Sequence, residues 1–151
     1  MNITEKQRKH VAALCKKISA TATLIAKDCD TLLQEANESL NEEQITDIGA
    51  ILKSSQKLLT VANEADQIIS KSLHPLAEQK EFFDFVPSLA NYLKSPLGLI
   101  VGFAQVSLEG INGSLNDQQT ESMKHIHELG QMLNSAIDES LLQAREVFKE
   151  P

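Results

Sequence analysis

Apolar residues in the first part of the chain recur in alternating steps of four and three: Val11, Cys15, Ile18, Ala22, Ile25, Cys29, Leu32 and Ala36. That spacing holds one stripe on one side of an α-helix, and sustained over about four heptads it is an a/d seam. Thr4 with Gln7 three residues on fits a capping box at the start of this helix. The stretch ANESLNEEQ then breaks the pattern with turn and cap residues, and Ser39 or Asn41 is the expected N-cap of the next helix. A second seam follows through Ile48, Ile51, Ser55, Leu58, Ala62, Ala65 and Ile69, until KSLHPL punctuates the chain at Pro75.

The pattern then starts again. Val86, Ala90, Leu93, Leu97, Ile100, Ala104, Ser107 and Ile111 carry the third seam, and Val86 follows Val11 by 75 positions, as Ile111 follows Ala36. The loop is repeated too, NESLNEEQ at 37–44 against NGSLNDQQ at 112–119. The fourth seam, Met123, Ile126, Gly130, Leu133, Ile137, Ser140 and Ala144, repeats the second at the same offset. A shared helical period can mimic a phase, but it rarely reproduces a loop together with both flanking seams. The chain therefore reads as two related helical hairpins, about 5–71 and 78–147, with helices near 5–36, 42–71, 78–111 and 117–147. One hairpin cannot bury an apolar stripe alone, whereas two can bury each other's. The expected fold is all-α, an antiparallel four-helix bundle with pseudo-two-fold symmetry along its axis, forming a single domain over 1–151. The bundle can close as a monomer within one chain or as a homodimer whose chains exchange hairpins.

Composition narrows this picture. A length of 151 residues is one domain's worth of chain, and scarce aromatics with no tryptophan imply an aliphatic core. Few glycines and prolines among many alanines, leucines and glutamates favour helix. A net charge of −7 argues against a nucleic-acid partner, which would require a basic stripe. The charge is uneven. Lys6, Arg8, Lys9, Lys16, Lys17 and Lys27 face only Glu5 before Asp28, while Glu35, Glu38, Glu42, Glu43 and Asp47 make the following stretch acidic. The plainest reading of these runs is two solvated faces. Nothing at the N-terminus resembles a signal peptide, and no apolar run approaches membrane-spanning length, so a cytoplasmic location is expected. Cys15 and Cys29 on one helix would lie about 21 Å apart, too far to bridge within the chain. They read as buried free thiols of a reducing compartment.

Pro96 stands in the middle of what is otherwise a helical pattern, NYLKSPLGLIVGF at 91–103. A proline there removes a backbone donor and should cost about 3 kcal/mol. The longer stretch FVPSLANYLKSPLGLIVGF, 85–103, resembles the H-box of the dimerisation and histidine-phosphotransfer domain of bacterial sensor histidine kinases. That family writes phenylalanine, an apolar residue, two variable positions, an apolar residue and serine, then His-Glu-Leu-Arg-Thr-Pro-Leu, and later Ile-Gly-Phe. The chain supplies Phe85, Val86 and Leu89, then Leu93, Lys94, Ser95, Pro96 and Leu97, and later Val101, Gly102 and Phe103. The turn EGINGSLNDQQ is of the type that joins the family's two helices, and the resemblance covers about 83–145.

The resemblance implies a helix bent by Pro96 just below a phosphorylated histidine. Asn91 occupies the place of that histidine, and Tyr92 that of the following acidic residue. An amide has no nucleophilic nitrogen at neutral pH to accept a phosphoryl group. The first hairpin departs further, with Lys16, Lys17, Ile18, Ser19, Ala20, Thr21 and Ala22 at the equivalent positions and no proline. The family's ATP-binding module has no counterpart in these residues, and no Gly-rich phosphate loop is present. The implied protein is a degenerate phosphotransfer domain, duplicated in tandem, non-enzymatic, and without cofactor or metal.

Other chemistry is thin. The histidines are His10, His74, His125 and His127, and HELG at 127–130 is distantly similar to histidine-phosphotransfer proteins but lacks their nearby lysine. His125 and His127, two apart, point to different sides of a helix and make a poor metal pair. Ser95 and Thr21 have no base beside them in sequence. Three readings follow. The first and favoured one is a non-catalytic interaction module of bacterial two-component signalling, which binds a response-regulator receiver domain or a partner kinase. The docking residues expected for it are Asn91, Tyr92, Lys94 and Ser95 with Lys16 and Lys17, whose charge would complement a receiver's acidic pocket. The second is an active phosphotransferase using a different histidine, and the third an architectural bundle.

Overall fold

The structure, a computed structural model, describes residues 5–34, 39–71 and 79–147. Among these it contains four α-helices: α1, Glu5–Gln34; α2, Glu42–Lys71; α3, Gln79–Leu108; and α4, Asp117–Val147. Each begins and ends close to where the apolar periodicity starts and stops. Two capping boxes start α2 and α4. The Gln44 amide donates to Asn41 Oδ1 at 2.8 Å while the Asn41 amide donates to Gln44 Oε1 at 2.9 Å. Asn116 and Gln119 repeat the same exchange, at 2.8 and 2.9 Å. Asn41 rather than Ser39 is therefore the cap.

The third helix stops three residues earlier than its pattern suggests. Gly110 takes a left-handed φ of 71°. Its amide donates to the Ser107 carbonyl at 3.2 Å, and the Ile111 amide donates to the Val106 carbonyl at 3.3 Å. This is a Schellman ending, in which glycine adopts αL without the Cβ penalty. Ile111 is consequently carried past the helix and is 64% exposed. The expectation that Ile111 closes the third seam is corrected by that turn.

The helices pack in a ring, α1 on α2, α2 on α3, α3 on α4 and α4 back on α1, which leaves α1 diagonal to α3 and α2 to α4. The core between them is the seams read from the sequence. From Val11 to Leu32, Ile48 to Ile69, Val86 to Ser107 and Met123 to Ser140, every seam position is buried. Ala36 and Thr4 lie outside the described residues, as does the Ala144 side chain. The stripe is wider than a strict a/d seam, because Leu89, Leu129 and Ala136 are buried as well. That is the width expected of a globular bundle rather than a coiled coil.

The repeat is visible as symmetry at the loop end. Gln44 Nε2 donates to the Ser114 carbonyl at 3.2 Å, and its counterpart Gln119 Nε2 donates to Ser39 Oγ at 2.8 Å. Each hairpin thus caps itself and braces the other's loop with the same glutamine. Asn41 Nδ2 also donates to the Asn112 carbonyl at 2.7 Å, and Asn112 Nδ2 to Asp47 Oδ2 at 2.6 Å. Gly113, at φ 132°, lies so close that a Cβ would sit 2.8 Å from both Asn41 Nδ2 and Gln44 Nε2. No helix among the described residues is long and apolar enough to cross a membrane.

Candidate protein-docking face

The stretch that resembles the H-box lies along α3. Leu93, Leu97 and Ile100 turn into the core, and Pro96 is buried with them. The helix runs through both Pro87 and Pro96. Pro96 has no N–H to give the Tyr92 carbonyl, so the backbone loses one bond directly beneath the exposed residues. On the outer side, Asn91 and Ser95 are exposed, Lys94 is half-buried and Tyr92 is 68% exposed.

Lys94 does not stand free. Its Nζ donates to Asp138 Oδ1 at 2.6 Å and to Asn134 Oδ1 at 2.7 Å, tying α3 to α4. The aspartate offsets its charge. An exposed pair of this kind contributes at most about 1 kcal/mol to stability.

Lys16 and Lys17 are exposed on α1, which is diagonal to α3. Lys16 borders the α1/α2 groove beside Asn63 and Asp66. Lys17 borders the α1/α4 groove beside Glu128, Met132 and Glu139. The six residues singled out in the sequence are thus divided between different grooves, and the two α1 lysines do not join Tyr92 in one patch.

The pseudo-two-fold relation shows what does join it. Moving each residue around Lys17 by 75 positions carries Lys17 onto Tyr92 and the α1/α4 groove onto the α2/α3 groove. Glu128 becomes Lys53, Met132 becomes Lys57, and Ser135 becomes Thr60, all of them exposed. Further along the same groove, Asp28 and His125 become Phe103 and Ala50, and Leu24 becomes Leu99, which is 50% exposed. The α2/α3 face therefore combines Tyr92, Leu99 and the edge of Phe103 with two lysines. Sequence reasoning missed Lys53 and Lys57. The repeat held the signal, but using it requires knowing that α3 packs on α2 as α1 packs on α4.

Among the described residues no group of three or more His, Cys, Asp or Glu is placed to hold a metal ion. Cys15 and Cys29 are buried and unbridged. Burial, helped by Asp66, pushes the Cys15 thiol up to about 11. Burial, with Asp28 and Asp30, pushes Cys29 up to about 12. Both remain protonated and poorly nucleophilic at neutral pH. His127 is half-buried, and His74 lies outside the described residues. His125 Nδ1 lies 2.5 Å from Asp28 Oδ2, bridging α4 to α1 on the opposite side of the bundle from Tyr92.

No family model matches the chain, and no solved structure does so significantly. The chain is 28% identical over 116 residues to the Non-motile and phage-resistance protein of Caulobacter vibrioides. The similarity covers 74% of this chain and 14% of that protein, so the chain spans only a small part of its curated relative's length.

Proposed function

We propose that the chain is a non-catalytic interaction module of bacterial two-component signalling, which binds a receiver domain or a partner kinase in the cytoplasm. The observation that carries the reading is the layout of α3. Val86, Leu89, Leu93, Pro96 and Leu97, which match the H-box, are buried, while Asn91 and Tyr92, which stand in place of its histidine and acidic residue, are presented outward with Ser95. The positions at which the resembled family does its chemistry face outward, which supports a docking surface, while the acceptor position holds an amide that cannot take a phosphoryl group. The relative from Caulobacter vibrioides is named for motility and phage resistance, which adds a bacterial setting and no partner.

A second reading has one observation in its favour. His125 Nδ1 pairs with Asp28 Oδ2, which leaves Nε2 as the ring nitrogen outside that contact on a half-exposed side chain. An active phosphotransferase would use that atom.

The test is a binding screen of the purified chain against receiver domains and sensor kinases, followed by the variant Tyr92→Ala. Binding that falls at least several-fold with unchanged helicity supports the reading. If the double variant Tyr92→Ala with Lys94→Glu binds every partner as the parent chain does, the face lies elsewhere. Acid-labile phosphate lost in His125→Gln would favour the second reading.

A further inference from the structure

We propose that the duplicated bundle docks its partner on one face only, α2/α3, and that this partner is a protein presenting carboxylates around an apolar contact. The inference rests on the reading of the chain as an interaction module. A pseudo-two-fold bundle offers two geometrically related grooves, and the sequence has made them chemically opposite. The α2/α3 face sets Lys53 and Lys57 beside exposed Tyr92 and Leu99, with Glu64 its one acidic residue at the related positions. Its twin, α1/α4, sets Lys17 against Glu128, Glu139 and Asp28. Where one face has Phe103 and Ala50, the other has the Asp28–His125 pair.

Charge complementarity decides the occupant. The chain as a whole carries −7, so a basic island around an exposed tyrosine is the place where an acidic surface meets least repulsion. The exposed aromatic and leucine supply a desolvated anchor, and the lysines set encounter rate and orientation. A second copy of this chain, also at −7, is disfavoured as the occupant. The predicted stoichiometry is one partner per chain.

The test uses the intact chain, amide-proton NMR, and a short synthetic amphipathic peptide with glutamate on one side and leucine on the other. Expected are shifts confined to residues around Lys53, Lys57, Tyr92 and Leu99, one peptide per chain, and binding that weakens with salt. The double variant Lys53→Glu with Lys57→Glu, at exposed positions, should weaken binding about tenfold or more. The triple variant Lys17→Tyr, Glu128→Lys and Met132→Lys should gain a second site. Equal shifts on both faces, shifts on α1/α4 alone, no shifts, or indifference to the lysine reversals would each overturn the inference. A triple variant that keeps its helicity and gains no site also counts against it. Peptide binding on α2/α3 together with failure of every receiver and kinase would leave this face standing and remove the signalling reading instead.

Discussion

Asn91 and Tyr92 sit side by side on the outside of α3, an amide and a phenol where the resemblance implies an imidazole and a carboxylate. Tyr92 is the more exposed of the large side chains that a partner could grip on this face, so Tyr92→Ala should change stability by no more than about 0.5 kcal/mol while lowering partner affinity. Thermal melting beside a binding titration separates the two effects. At the same scale the buried thiols predict a pH dependence. Cys15 and Cys29 have folded values near 11 and 12 against an ordinary 9.0. Below pH 9 both are protonated in either state and add no slope. Above it the unfolded chain releases protons that the folded chain retains, so stability falls as pH rises toward 11 and 12. Urea melts at pH 8 and 10.5 should show a smaller loss in Cys15→Ala with Cys29→Ala than in the parent chain. An equal loss would place the cause elsewhere.

At the scale of the element, helix starts and seams were legible because the spacing of apolar residues is sustained over long stretches. Val11 to Leu32 reads as one stripe and is buried as one. The end of α3 was not legible at that level, since Ile111 keeps the period while Gly110 breaks the helix. Gly110 was visible in the sequence, and giving its C′ role priority over the period would have stopped the helix correctly. The capping boxes predict that Asn41→Ala and Asn116→Ala each cost about 1 kcal/mol. Their loop-to-loop bonds predict that the double variant departs from additivity, which denaturant unfolding of all three variants measures. Ile25→Asp or Leu97→Asp, each placing a charge at a fully enclosed position, should unfold the chain, seen as lost helicity.

At the scale of the molecule, the sequence showed that the hairpins repeat but not which groove faces which. Grouping Lys16 and Lys17 with Tyr92 from the sequence places α1 beside α3, whereas the two helices are diagonal. Ring order is a packing property, and period alone does not encode it. The single chain closes the ring on itself, so light scattering should give a mass near 16.6 kDa, and twice that mass would indicate exchanged hairpins. On the proposed reading the H-box-like face binds and does not react. The most direct measurement of this is to mix the purified chain with a sensor kinase, its phosphorylated receiver, ATP and magnesium, and to follow complex formation and acid-labile phosphate in the same sample. Expected are a complex on the Tyr92 face and no phosphohistidine on this chain. Phosphate on any of its histidines, His125 above all, would contradict the reading.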